Sequence, residues 1–326
     1  MASPLHKIYL LCPKLRGSAG RSKGIGYLQK ALDGGLSCCN FIYVVPSRRK
    51  HLLMPIDKIN GVNLYWELSG QKGEPLVLVH GSWGDHHNWD GVVGELSKTF
   101  RVLTYDRRGH SKSERREVQG SMEEDVSDLI SLVNHLGLAP AHIAGNSGGA
   151  AVALKTAARH ADLFQSLMAH ELPLFGLLKD VPEAQPYLQA VNGRIEAVTA
   201  LIENEELEQA AKLFVENIAF GPGAWQQLPP QVQETFVYNA PTFLDETKDS
   251  ENLYIDTNKL SHFNKPTLLT QGTQSPPFFL MALDLLAKAI PNAHKRTFEG
   301  AGHVPHLSHP KEYVQVVKDF CLINEC

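Results

Sequence analysis

Three side chains in this sequence have the types and surroundings needed for nucleophilic attack on a carbonyl. Ser147 sits in "HIAGNSGGAAVAL", where Gly145-Asn146-Ser147-Gly148-Gly149 has the spacing G-x-S-x-G between an apolar run and an Ala-rich one. A nucleophile on a sharp strand-to-helix turn needs small neighbours, because its own backbone is strained and the chain packs tightly on both sides. The following helix N-terminus then offers backbone N–H groups to a developing oxyanion. Without the chemistry, the same stretch reads as a glycine-rich packing turn. A serine hydroxyl is a weak nucleophile at neutral pH and needs a base. His303, in "FEGAGHVPHLSHP", follows the last strand-like run and precedes "PKEYVQVVKDF", with Gly300 and Gly302 leaving its loop free to aim an imidazole across the sheet edge. Glu171 ends the apolar run of "SLMAHELPLFG", at the carboxyl end of a strand, where open α/β sheets bind ligands. Otherwise it is a strand-end carboxylate that pairs with a neighbour or faces water.

Other polar residues are assigned less active roles. In a serine hydrolase one oxyanion N–H comes from the residue after the nucleophile, here Gly148, and another from the loop after an early strand, for which Ser82 of "VLVHGSWGDHHNW" is in the right order. His86 and His87 of the same stretch are expected to be loop residues near the pocket mouth. His306 and His309 follow His303 at intervals of three without a carboxylate or cysteine nearby, and are expected to be solvated; no metal and no cofactor is expected. Asp106 of "TYDRRGHSKS" precedes the nucleophile and is expected to hold its own loop together. Asp284 and Glu299 are rivals to Glu171, but the first falls inside a helix and the second stands too close to His303 to fold back onto it.

These residues need a scaffold, and the pattern supplies one. From Met54 onward strand-like runs alternate with helical ones: "PLVLVHG", "RVLTYD", "HIAGN", "SLMAHE", "TLLTQG" and "HKRTFE" are predicted strands of a mostly parallel sheet. Asn60-Gly61 in "MPIDKINGVNLYWELSG" predicts a hairpin. "SMEEDVSDLISLVNHLG" predicts a helix opened by a Ser121/Glu124 capping box and stopped at Gly137. The helix-rich section 173–263 interrupts the alternation and reads as an insertion, leaving 54–172 and 264–326 as the core. The 326 residues, 43% hydrophobic, suit one large globular domain with such an insertion. Residues 1–53 carry nine Lys/Arg against the single Asp33, so this segment is +8 and the remainder −12 of a formal net charge of −4. It reads as a basic N-terminal extension or a transit segment. Elsewhere no basic run interleaves with aromatics and no apolar run approaches membrane length, so neither nucleic acid nor membrane is expected as a partner. The five cysteines (Cys12, Cys38, Cys39, Cys321, Cys326) lack metal-ligand spacing and are expected to be reduced thiols, which places the chain in the cytoplasm or, through residues 1–53, an organelle.

Taken together, the elbow, the His80-Gly81 loop, the "DRRGHSKS" turn and the late His303 resemble the α/β-hydrolase superfamily over Met54 to Cys326. The resemblance implies an α/β-hydrolase fold: a mostly parallel eight-stranded sheet with helices on both faces and a helical cap between the sixth and seventh strands. Such enzymes commonly carry the triad acid three residues after the glycine ending the seventh strand, yet here Gly272 is followed by the uncharged Ser275. In the family the end of the sixth strand is an alternative place for the acid, which selects Glu171, 24 residues after Ser147. That spacing, the "HELP" stretch, the Ser-Pro at 275–276 and "GAWQ" at 223–226 resemble the fungal zearalenone lactonases, from which the chain differs at His80-Gly81 and at the elbow.

The expected function is therefore cofactor-independent hydrolysis of a small, hydrophobic carboxylic ester or lactone, with Ser147, His303 and Glu171 catalytic, Ser82 and Gly148 at the oxyanion, and Gly81, Trp83 and Trp225 lining the pocket. The alternatives are a C–C bond hydrolase of a ring-cleavage pathway, which the elbow also resembles, and a ligand-binding receptor on the same fold.

Overall fold

The computed structural model describes residues 55–252 and 254–323; the basic segment 1–53 and the expected domain start at Met54 lie outside the described residues. The chain opens with a hairpin of β1 (Ile56–Ile59) and β2 (Val62–Ser69). Its two turn residues, Asn60 and Gly61, both take positive φ (47° and 84°), the mirror-image turn whose twist matches paired strands. Strands β3 (Pro75–Val79), β4 (Arg101–Tyr105), β5 (Ala141–Asn146), β6 (Phe164–His170), β7 (Thr267–Gly272) and β8 (Ala293–Phe298) complete the sheet. Its spatial order is β1-β2-β4-β3-β5-β6-β7-β8; the pairings of β2 with β1 and β4 are antiparallel and all others parallel.

The longer helices between and after these strands are α1 (Asp90–Leu96), α2 (Met122–His135), α3 (Gly148–Ala157), α4 (Gln185–Glu203), α5 (Leu207–Phe214), α6 (Pro230–Asn239), α7 (Thr242–Lys248), α8 (Pro277–Ala289) and α9 (Pro310–Ile323). A parallel sheet is covered on both faces, so its strands are apolar on both. Val77, Val79, Ile143 and Leu167 pack with α2, α3 and α8. Their neighbours Leu76, Leu78, Ala144 and Met168 pack the other way, with α1 and α9. Alternation along each strand thus builds two cores, one per face. Every residue of α3 is buried, which explains its Gly/Ala composition. At the start of α2, Ser121 Oγ accepts from Glu124 N as expected, but the Glu124 carboxylate meets Arg108 and Arg116 instead of closing the capping box. Gly137 ends the helix at φ 61°.

Helices α4 to α7 form the insertion between β6 and β7, with a core of their own around Phe214, Trp225, Phe236 and Phe243. No helix among the described residues is long and apolar enough to cross a membrane.

Candidate active site

The turn from β5 into α3 places Ser147 at φ 54° and ψ −123°, a conformation costing about 1–3 kcal/mol for a residue with a Cβ. Its N–H donates to the carbonyl of His170 at 2.9 Å and its carbonyl accepts from Ala151 N at 3.1 Å, so both neighbouring elements hold the strained turn. The glycines follow from crowding: a Cβ on Gly149 would stand 2.2 Å from the Val79 carbonyl oxygen and 2.4 Å from that of His80.

On the next strand the chain leaves β6 with another left-handed residue, Glu171, at φ 46°. The strand expected over Ser166–Glu171 runs Phe164–His170, starting two residues and ending one residue earlier, and the bend at Glu171 turns its side chain to the sheet end. Glu171 Oε2 lies 2.7 Å from His303 Nδ1, and Oε1 accepts from Gly272 N at 2.7 Å. The carboxylate is fully buried. Burial alone would raise its pKa, but the His303 hydrogen bond and the adjacent imidazoles of His170 and His303 outweigh that and bring it down to about 2. The Ser275 hydroxyl stands close enough to help hold it low, though outside hydrogen-bond geometry. The group is therefore a carboxylate throughout the neutral range. His170 Nε2 lies 3.5 Å from Oε1, and burial lowers that imidazole to about 4, so it stays neutral beside the pair. The two rival acids are elsewhere: Asp284 pairs with Lys295 on the surface, and Glu299 is exposed next to Thr273.

Two contacts of His303 lay outside the sequence reading. Asn146 Nδ2 donates to the His303 carbonyl at 2.9 Å, tying the His303 loop to the residue before Ser147. Phe279, on α8, stacks on the imidazole at 5.2 Å between centroids and 21° between planes. Asn146 was visible inside the elbow motif; only its partner, 157 positions away, was not.

Ser82 and Gly148 adjoin: a Cβ on Gly148 would lie 3.3 Å from Ser82 N. Gly81 brings the same loop against the elbow, since a Cβ there would be 3.1 Å from Ser147 Cβ. Of the two tryptophans expected to line a pocket, Trp225 lines an open cavity with Leu207, Gln233 and Val237, and both pack into the core of the insertion. Trp83 has no exposed surface and stacks on Phe214 at 4.5 Å, and Trp225 is largely buried in the same core of the insertion; large aromatic faces are consumed there by packing.

Two further histidines, His306 and His86, also correct expectation. His306 is buried between Trp89 (4.4 Å) and Tyr313 (5.8 Å) rather than solvated, and burial drives its pKa well below the usual imidazole value. His309 is partly exposed, with Nδ1 on Ser308 Oγ. His87 is exposed, but His86 is buried, with Nδ1 2.6 Å from Asp106 Oδ1 and Nε2 3.4 Å from Glu67 Oε1. Asp106 also accepts from the backbone N–H groups of His86 and Lys112, which is the structural role expected of it. Ligand atoms of Asp85, His86 and His87 come within 4.8 Å of one another, a donor set of the kind a metal uses, although Asp85 already accepts from His87 N and Ser111 Oγ.

Burial disfavours the charged form of His86, but Asp106 and Glu67 overcome it and push its pKa up to about 9. Because the folded value exceeds the unfolded one of ~6.5, the stabilisation is fully present below about pH 6.5 and is lost as pH rises toward 9; at ~1.4 kcal/mol per unit it amounts to about 3 kcal/mol. Urea midpoints at pH 6.5 and 9 should therefore fall for the wild type and stay nearly level for His86→Gln. Equal declines in both proteins would place the effect elsewhere.

A sequence model described as alpha/beta hydrolase fold matches residues 74–310. A proline iminopeptidase of Lactobacillus helveticus is 27% identical over 281 residues, 80% of this chain and 94% of that protein. A zearalenone hydrolase of Bionectria ochroleuca is 26% identical over 276 residues, 79% and 93%. Among solved structures, the enol-lactonase from Burkholderia xenovorans LB400 superposes with a TM-score of 0.64 at 23% identity, covering 82% of this chain and all of that one. Two further relatives match only in part, the chain spanning 27% and 61% of their lengths.

Proposed function

The chain belongs to the α/β hydrolase fold family, and on that premise we propose that it hydrolyses a hydrophobic carboxylic ester or lactone through an acyl-enzyme. The observation that carries the reading is the buried Glu171–His303 pair, with the His303 backbone bonded to the residue preceding a strained Ser147. Ser147 Oγ attacks the carbonyl carbon while His303 takes the hydroxyl proton on Nε2, the ring nitrogen that Glu171 leaves free. The N–H groups of Ser82 and Gly148 hold the tetrahedral oxyanion. Its collapse breaks the C–O bond, and His303 gives its proton to the departing alkoxide, which in a lactone stays tethered to the acyl group. Water then attacks the acyl-enzyme with His303 again as base, releasing the acid and restoring Ser147. Glu171 stays ionised throughout, fixes the tautomer and stabilises the imidazolium.

Support for a hydrophobic substrate comes from the wall beside the base: Phe278 and Phe279 cluster with Phe175, Leu178 and Leu188 from the start of the cap. Support for an ester or lactone over an amide comes from the zearalenone hydrolase relative. The test is a turnover screen of 4-nitrophenyl esters of increasing chain length, macrocyclic lactones, a ring-cleavage diketone and proline 4-nitroanilide. Esters or lactones should exceed the anilide and the diketone at least ~100-fold in kcat/KM, about 3 kcal/mol of transition-state discrimination. A preference for the anilide would make the protein a peptidase, and one for the diketone a C–C hydrolase.

A further inference from the structure

The loop that carries Ser82 is held from the cap side. Ser82 Oγ donates to Glu246 Oε2, on α7, at 2.5 Å. Glu246 Oε1 accepts both Nη1 and Nη2 of Arg107, each at 3.1 Å, and Arg107 reaches Asp125 on α2 through Nε (3.2 Å) and Nη2 (2.7 Å). This guanidinium is 1% exposed. The next residue, Trp83, is inserted among the cap rings, 4.5 Å from Phe214 and 5.3 Å from Phe243. The fully buried Asn239, on α6, donates to the carbonyls of Trp83 (3.2 Å) and Gly84 (2.9 Å). Three consecutive residues, 82–84, thus have their principal fastenings on the insertion, while the strand they follow belongs to the core.

We propose that Glu246 is a positioning residue for the oxyanion site: gripped by Arg107, it fixes Ser82 so that the Ser82 N–H faces the oxyanion only while the cap is seated on the core. The inference rests on the hydrolase reading above. Its physical basis is the acceptor-only character of an ionised carboxylate. With Oε1 held by Arg107, Oε2 faces the Ser82 hydroxyl, which must donate because the carboxylate only accepts, and this fixes the rotamer and the loop. Docking alone needs no charge here, because a buried ion pair adds little stability over a packed apolar contact of the same volume. The network also abuts the other donor, for a Cβ on Gly148 would stand 2.8 Å from Ser82 Oγ and 3.3 Å from Arg107 Nη1.

The test is a double-mutant cycle on the full chain with Ser82→Ala, Glu246→Gln and both together. It reads kcat and KM on 4-nitrophenyl butyrate, the inhibition constant of an alkyl trifluoromethyl ketone, and Tm. Removing one oxyanion donor outright lowers kcat by ~10²–10³, so misplacing it should lower kcat by about 10- to 100-fold in each single variant. KM should move less than about threefold, the ketone should weaken by the same factor as kcat, and the double variant should be no worse than the poorer single one. Effects that multiply in the double variant, or kcat per folded molecule unchanged with a lower Tm, overturn the positioning role alone. If Glu246→Gln does not fold, Ser82→Ala decides, and an unchanged kcat there overturns it as well. Failure of a fluorophosphonate to label Ser147 in the wild type takes down the hydrolase reading and this inference together.

Discussion

Replacing Ser147 by alanine should give a folded protein whose turnover of any accepted ester is lower by a factor on the order of 10⁶. The substitution keeps the Cβ, so the φ of 54° is no more strained than before, and the bond from residue 147 N to the His170 carbonyl needs no side chain. What disappears is the one atom His303 could activate. The oxyanion donors and the binding surface remain, which in serine hydrolases leaves ~10³–10⁴ over the uncatalysed rate. Thermal melting should be nearly unchanged, and fluorophosphonate labelling abolished. A wild-type-like rate from a contaminant-free sample would sink the mechanism entirely.

For Glu171→Gln, kcat should drop by roughly 10³ to 10⁴ with little change in KM. Glutamine can still accept from Gly272 N through its oxygen, but it then turns an NH₂ toward His303 Nδ1. That demands the opposite imidazole tautomer and leaves no charge to stabilise the imidazolium. Adding Ser275→Asp should recover part of the loss, because the Ser275 hydroxyl is already buried beside this carboxylate. A merely structural Glu171 predicts a lower Tm with kcat per folded molecule nearly intact. Measuring both on one preparation separates the two, and a loss under about tenfold would move the acid elsewhere.

The sequence disclosed the sheet because strand and helix periodicities alternate without ambiguity and because Asn60-Gly61 and the elbow impose backbone conformations that few residues accept. It pointed to Glu171 through an absence, the uncharged Ser275, combined with a strand-end position. What it withheld were contacts made by loops. His86 and His306 have the same local neighbours as solvated histidines, and only tertiary packing against Asp106 and Glu67, or against Trp89 and Tyr313, distinguishes them. Trp83 misled for the same reason, since an aromatic in a loop after an early strand fits a pocket wall as well as a cap core. The bond between Ser82 and Glu246 joins residues 164 positions apart, one of them in an insertion whose docking no periodicity encodes.

The order of elements along the chain is also an order in time. Strand β6 is complete at His170, but its neighbour β7 begins only at Thr267, after the whole insertion has been made. At ~5–20 residues per second of synthesis, that edge of parallel sheet stays unpaired for roughly 5–20 s, the interval in which intermolecular strand pairing is most available to it. During the same interval the nascent protein can already form the elbow at Ser147, while the partner of Glu171, 132 positions further along, has not been translated. On the proposed mechanism a ribosome-bound chain stays hydrolytically silent until the segment carrying His303 emerges, and any stall within the insertion leaves a species that is sticky without being active.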